Sequence, residues 1–168
     1  TLVDGNRAPR FQADVGVRGE RIAFMGSLKN EHARTEIDAT GKILSPGFID
    51  AHTHDDRLML SAPDMAPKAS QGVTTVVAGN CGISLAPLVL GERAAPPPLD
   101  LIGDTSWYRF KSFAEYVRTL EEKPAATNAA LLVGHTTLRV ATMKRLDAPA
   151  TPGEMESMKN LVQEALNA

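Results

Sequence analysis

The sequence predicts an α/β fold in which a small β domain precedes a parallel sheet with crossover helices. Residues 1–45 contain short strand patterns and turns but no helical periodicity. Ser45-Pro46-Gly47 then marks a break in the chain. Beyond this break, apolar segments alternate with helical segments, an order typical of parallel sheets. We therefore divide the chain into residues 1–45 and residues 46–168.

The first part carries the pattern of a β-hairpin. Val15 and Val17 alternate with small or polar residues, a polar turn covers residues 18–21, and residues 22–25 are apolar. Further short strand candidates lie at Ile37 and at Ile43 and Leu44. A domain of about 45 residues is too small to hold a good core alone.

Three apolar segments after the break predict strands: residues 48–54, residues 73–78 and residues 129–134. Parallel strands are usually buried on both faces, which accounts for their continuous apolar character. We therefore expect three buried strands joined by right-handed crossovers.

Helical segments are expected between and after these strands. A weak one, interrupted by prolines, lies in residues 55–71, and a second covers residues 107–122. The last begins after Thr151, whose side chain is expected to form a capping box with Glu154. We expect the apolar stripe of this helix, within residues 155–166, to pack in the core.

Residues 82–106 form a long proline-containing segment with no regular pattern. A structureless stretch of this length in a compact domain is often functional. The alternative is a surface excursion, and the sequence leaves both open.

The composition limits the classes of partner and compartment. The formal net charge is −2, so nothing favours nucleic acid or an anionic membrane as a partner. The apolar runs are far too short to span a bilayer. Cys81 is the only cysteine, which excludes an internal disulfide and favours a reducing compartment. We expect a cytoplasmic protein.

His52 and His54 stand two residues apart at the end of the strand predicted for residues 48–54. Side chains i and i+2 of a strand share a face, so the two imidazoles are expected to lie together. Neutral imidazoles in this arrangement can bind one zinc ion. The alternative is a pair of exposed histidines at a strand end. Asp55 and Asp56 follow, either to orient the histidines or to open a helix.

Cys81 lies just beyond the next predicted strand. Active sites collect at the carboxyl ends of parallel strands, and neighbouring strands are about 4.8 Å apart. Its thiolate would therefore reach a metal ion held by His52 and His54. The alternative is a buried structural cysteine.

Three further side chains are weaker candidates. His135 follows the third predicted strand, and we consider it either a substrate contact or a structural histidine. Arg139 is either a clamp for a carboxylate or a solvated charge. His32 lies in a polar turn and is expected to be exposed.

Three motifs together carry a family resemblance. Residues 42–54, KILSPGFIDAHTH, resemble the first-strand signature of the amidohydrolase superfamily. Residues 70–84, SQGVTTVVAGNCGIS, and residues 133–139, VGHTTLR, are similar to the D-aminoacylase (N-acyl-D-amino-acid deacylase) branch. The resemblance extends along nearly the whole chain. Its specific element is the cysteine, since many relatives instead use a carbamylated lysine from a later strand.

The resemblance implies a fold and a domain organisation. Residues 46–168 would be the first three βα units of a (β/α)8 TIM-type barrel, preceded in residues 1–45 by part of a β-sandwich. A complete barrel needs eight strands and about 250 residues. We therefore expect an amino-terminal fragment of a longer protein, with open sheet edges through which it could self-associate.

The resemblance also implies an activity, the metal-dependent hydrolysis of N-acyl-D-amino acids to a carboxylate and a D-amino acid. His52, His54 and Cys81 would bind zinc, as one or two divalent ions, and His135 would contact the substrate. The catalytic aspartate is expected downstream, so no catalytic residue lies in this chain and we expect the chain alone to be inactive. Two alternatives stay open: a cyclic-amide hydrolase of the hydantoinase or dihydroorotase kind, and a non-catalytic scaffold with an amidohydrolase fold.

Overall fold

A computed structural model describes residues 1–168, which form two compact units, Thr1–Gly47 and Phe48–Ala168. No helix is both long enough and apolar enough to cross a membrane.

The first unit is built on an antiparallel hairpin of β1 (Asp14–Arg18) and β2 (Arg21–Gly26). This confirms the predicted hairpin. Leu2 is buried and bridges to Phe11 and to Leu44. The strand prediction at Ile37 is wrong: this side chain is 84% exposed and lies in no strand, because no neighbouring segment pairs with it.

The second unit alternates strands and helices. In chain order its elements are β3 (Phe48–Thr53), α1 (Leu58–Ser61), α2 (Ala66–Ala69), β4 (Val73–Ala78), β5 (Leu88–Val89), β6 (Arg109–Phe110), α3 (Phe113–Glu122), β7 (Asn128–Leu131), α4 (His135–Thr142) and α5 (Pro152–Leu166).

A parallel sheet of order β3-β4-β7 lies at the centre of the unit. The α/β class with a parallel sheet is therefore confirmed. The expectation of three buried strands is wrong for two of them. Val76 and Ala78 of the central strand are buried, whereas Phe48 and Ile49 are about two-thirds exposed and β7 is mostly exposed. The reason is topological, since β3 and β7 each have a strand on one side only.

The segment predicted as a structureless loop is instead part of the core. Side chains of residues 83–102 fill the space beside the sheet; the buried ones are Ile83, Leu85, Ala86, Leu88, Leu90, Leu99 and Ile102. Leu88 pairs with Phe110, so that β5 and β6 form a small antiparallel sheet. This pairing also explains why the helix predicted for residues 107–122 begins only at Phe113, with Ser112 as its N-cap.

The last two helices depart from the prediction in different ways. The sequence does not predict α4, because the helix has only eight residues and its apolar pattern is too short to indicate a helical period. α5 has the expected capping box between Thr151 and Glu154. Its apolar stripe is half-buried at Leu161 and Ala165 rather than in the core, because α5 packs along the sides of α3 and α4.

Candidate metal site

The end of β3 brings His52 and His54 together. Their ring centroids are 5.9 Å apart and the rings are inclined at 74°. Thr53 between them is buried, whereas His52 is exposed and His54 is half-buried. The two imidazoles thus lie side by side, as the sequence predicted.

Cys81 lies on the turn that follows β4. Gly79 begins this turn with φ +85°, and a Cβ atom there would lie 1.9 Å from the Leu132 carbonyl oxygen, so only glycine fits. The side-chain amide of Asn80 donates a hydrogen bond of 2.9 Å to the carbonyl of Ala51. This bond ties the turn to the strand that carries the histidines. Cys81 is exposed, which excludes a buried structural role.

These two elements assemble a set of metal-compatible donor atoms. One ring nitrogen each from His52 and His54 and the sulfur of Cys81 all lie within 4.8 Å of one another. Nitrogen and thiolate donors are the set that zinc prefers. The Nδ1 atom of His54 is buried and has no hydrogen-bond partner. A buried polar atom without a partner is unfavourable, so the residues fit a bound cation.

Two carboxylates and a lysine flank the histidines. The amine of Lys68 donates to Asp50 at 2.5 Å and lies 3.0 Å from the carboxylate of Asp55. The hydrogen bond from Lys68 holds the pKa of Asp50 below its ordinary value. Burial acts to lower the pKa of Lys68, but the contacts with the two carboxylates, of Asp50 and Asp55, outweigh it, so this pKa is raised.

Asp55 and Asp56 do not hold the histidine rings, so that part of the expectation is wrong. The carboxylate of Asp55 faces Lys68, and that of Asp56 accepts from the backbone N–H of Leu85 at 3.3 Å. Burial raises the pKa of Asp56 to about 6. Asp56 therefore attaches the core segment after Cys81 to the end of β3.

His135 does not belong to the group of three converging donors and is the first residue of α4. It is exposed and lines a cleft of about 380 Å³, together with Asn80 and Gly82 of the turn that carries Cys81. The other side chains of the wall are apolar and come from Phe113 of α3, from residues 131–133 at the end of β7, and from Val162, Ala165 and Leu166 of α5.

Arg139 and His32 have simpler surroundings. Arg139 donates to the carbonyls of Leu146 and Ala148, at 2.9 and 3.2 Å. Its guanidinium therefore stabilises a loop, a role that neither interpretation of the sequence included. His32 is exposed, as expected, and lies 3.5 Å from Glu36.

Four residues that support the surroundings of the site were not found from the sequence: Lys68, Asn80, Ser84 and Thr137. Lys68 resembles any surface lysine in a weak helical segment, and Asn80 resembles any turn asparagine. The backbone N–H of Ser84 donates to the hydroxyl of Thr137, which donates back to the Ser84 carbonyl. These contacts join residues distant in the chain, and no local pattern indicates them.

Comparisons with known proteins identify the family. The model of the amidohydrolase family matches residues 35–168. A D-aminoacylase from Alcaligenes xylosoxydans xylosoxydans is 53% identical over 99% of this chain and 34% of its own length. An N-acyl-D-glutamate deacylase from the same organism is 45% identical over 99% of this chain and 34% of its own length.

Solved structures agree with these relatives. A crystal structure of D-aminoacylase superposes with a TM-score of 0.93 at 53% identity, over 99% of this chain and 35% of the other. The N-acyl-D-glutamate deacylase from Bordetella bronchiseptica, complexed with zinc and a phosphonate inhibitor, gives a TM-score of 0.90 at 46% identity, over 99% and 35%. This chain spans about a third of the length of these relatives. The resemblance to D-aminoacylases is confirmed, and the chain belongs to the amidohydrolase family.

Proposed function

We propose that this chain supplies His52, His54 and Cys81 to the metal centre of a D-aminoacylase-like hydrolase. The single observation that carries the proposal is the convergence of the three donor atoms within 4.8 Å. The relatives support it, since the N-acyl-D-glutamate deacylase structure is complexed with zinc and D-aminoacylase has a binuclear metal centre. We propose zinc, as one or two ions, because two imidazoles and a thiolate suit it.

The proposed reaction is the hydrolysis of N-acyl-D-amino acids to a carboxylate and a free D-amino acid. It follows from the names of the relatives, which are a D-aminoacylase and deacylases of N-acyl-D-aspartate and N-acyl-D-glutamate. His52, His54 and Cys81 would hold a zinc ion, which would supply a nucleophile at neutral pH and Lewis-acid polarisation of the amide carbonyl. Within this chain, Asn80 holds the Cys81 turn against β3, and Gly79 permits the close approach of the same turn to the Leu132 carbonyl that follows β7.

The cleft beside the turn is proposed as a substrate-contacting surface. His135 and Asn80 line it at one side, while its remaining wall is mostly apolar. An apolar cleft with a few polar groups is typical of small-molecule sites. His135 would contact the polar part of an N-acyl amino acid there.

We also propose the finer architecture. The three parallel strands would be the first three strands of a (β/α)8 barrel, with residues 46–168 in the barrel and residues 1–45 in a β-sandwich. The order β3-β4-β7 with intervening helices supports the barrel assignment. The exposed edge of β7 supports pairing with a further strand or, in the isolated chain, self-association.

The compartment is a further proposal. Cys81 is the only cysteine and is exposed, which suits a cytoplasm where thiols stay reduced.

A chimera tests the proposed reaction. Residues 1–168 would replace the matching third of the Alcaligenes D-aminoacylase, and release of amino acid from N-acetyl-D-amino acids would be measured. We expect hydrolysis of the D-isomers and loss of activity with His52→Ala. Hydantoin opening in preference to deacylation, or full activity in the His52→Ala chimera, would contradict the proposal. The first of these results would instead indicate a cyclic-amide hydrolase.

A further inference from the structure

Lys68 is not a metal donor, but its amine contacts residues that precede and follow the two histidines in the chain. Its amine lies 2.5 Å from Asp50, 3.2 Å from the hydroxyl of Thr53 and 3.0 Å from Asp55. These three residues surround His52 and His54 in the chain. One cation thus connects the residues before, between and after the two imidazoles.

The lysine is firmly placed for this contact. Its side chain is only 20% exposed, and it lies on the short helix α2. Met65, which precedes that helix, is fully buried and has φ +48°. A non-glycine residue with positive φ is uncommon and persists only where its surroundings fix it. Packing around Met65 therefore fixes the direction in which α2 presents Lys68.

Asp50 transmits this contact to a metal donor. One carboxylate oxygen accepts from Lys68, and the other accepts from the backbone N–H of His52 at 3.3 Å. The carboxylate thus links the amine to the backbone of His52. Displacement of Lys68 would release the carboxylate that holds this backbone.

The backbone at this point has an irregular register. Asp50 pairs with Val76 and Thr53 with Ala78, so β3 uses one more residue than β4 across this interval. In a regular strand, residues three apart face opposite sides. Here the side chains of Asp50 and Thr53 reach the same amine, which the extra residue allows. His52 lies inside this irregular interval, where ladder pairing does not fix its position.

The negative charges of Asp50 and Asp55 give a second reason why a lysine is required at this position. Asp50 and Asp55 are 30% and 12% exposed at their side chains, and Lys68 is the cation that both contact. Removal of one partner from a partly buried ion pair leaves uncompensated charge. Without the amine, the two carboxylates would repel each other and separate, and β3 would change shape at the histidines.

We propose that Lys68 is a positioning residue of the metal site, which holds the irregular end of β3 so that His52 and His54 face Cys81. The inference rests on the proposed metal site. Groups that orient metal ligands are typically worth about 10–100-fold in metal affinity.

The test compares Lys68→Met with the native chain and with Lys159→Met. Lys159 is a matched control, since it is an exposed lysine paired to Glu156 on α5 at 3.5 Å. The first measurement is zinc affinity by competition with a chelator. The second is metal-free: NMR of the exchange rate of the His52 amide hydrogen, compared with that of Val76 in the core strand. The third is the free energy of unfolding.

We expect Lys68→Met to weaken zinc binding about 10–100-fold and to speed exchange at His52 more than at Val76, while Lys159→Met changes neither. Native zinc affinity in a folded Lys68→Met variant would overturn the inference. Equal acceleration at His52 and Val76 would overturn it too, because it would indicate a general loss of stability.

If Lys68→Met does not fold, Asp50→Asn removes the same contact from the other side. Weakened zinc binding and faster exchange at His52 in that variant would support the inference, and native behaviour would overturn it. Failure of both variants to fold would also overturn it, since Lys68 would then serve folding. Failure of the native chain to bind zinc would count against the metal site, whereas the exchange measurement without zinc would still decide whether Lys68 positions His52.

Discussion

Replacement of Thr137 by valine tests how the segment after Cys81 is held. Thr137 is fully buried, and its hydroxyl accepts from the Ser84 N–H at 2.8 Å and donates to the Ser84 carbonyl at 2.9 Å. Valine has nearly the same shape but cannot form either bond. Both backbone groups of Ser84 would then remain buried without these partners.

The expected cost follows from the number of orphaned groups. A buried donor or acceptor left without a partner costs about 1–3 kcal/mol, so two such groups predict a loss of about 2–6 kcal/mol. The free energy of unfolding of an ordinary domain is about 5–15 kcal/mol. The variant should therefore lose a large part of its stability.

The loss of stability is measured by urea unfolding. The transition is followed by far-UV circular dichroism and by the fluorescence of Trp107, the only tryptophan. Thr142→Val is the matched control, because Thr142 lies on the same helix and donates one bond to the Leu138 carbonyl at 2.8 Å. A single bond contributes about 0.5–1.5 kcal/mol. The free energy of unfolding of the two variants is compared where both show the same dependence on urea concentration. If Thr137→Val lowers this free energy no more than Thr142→Val does, the reasoning about Ser84 is refuted.

Three further predictions concern the turn, the core and the isolated chain. Gly79→Ala should lower the urea midpoint of unfolding more than Gly91→Ala does. Both positions have positive φ, but of the two only Gly79 lies where a Cβ atom would meet backbone, at Leu132. Equal effects would show that this close approach is unimportant. Tyr116→Phe should cost about 1–3 kcal/mol in thermal unfolding, because its buried hydroxyl donates to the Asp56 carbonyl at 3.0 Å; an unchanged melting temperature would contradict this. The isolated chain should release no D-amino acid from N-acetyl-D-amino acids when incubated with zinc, because the catalytic aspartate is expected on a later strand; clear turnover would contradict that expectation.

The fold was predictable where one short segment determines its own structure. Alternating apolar residues were sufficient for β1 and β2, and a β-branched run was sufficient for β4. The capping box of Thr151 and Glu154 was readable because it depends on residues three apart. Such features need no knowledge of the rest of the molecule.

Features that depend on distant partners were not predictable in this way. The segment of residues 83–102 lacks a regular pattern because its apolar side chains pack individually against the sheet and α3, rather than along one face. The exposure of Phe48 follows from the position of β3 at the sheet edge, which the strand's own residues do not reveal.

The candidate site shows the same division. The pair His52 and His54 follows from the two-residue period of a strand, and Cys81 follows from the rule that parallel strands end at one edge of a sheet. The lysine that connects Asp50 to Asp55 comes from a helix after the strand, and its contact depends on an irregular register. Sequence patterns do not indicate where such an irregularity falls.

The most direct test of the central claim is metal binding by the chain itself. Zinc binding by isothermal titration, and the thiolate absorption that appears when Co²⁺ replaces zinc, would be compared for the native chain, Cys81→Ser and His52→Ala. His32→Ala is the control, because His32 is exposed and lies outside the donor set. We predict that the native chain and His32→Ala bind zinc, that His52→Ala binds much more weakly, and that Cys81→Ser loses the thiolate absorption. Unchanged zinc affinity in both His52→Ala and Cys81→Ser would contradict the assignment of the metal site.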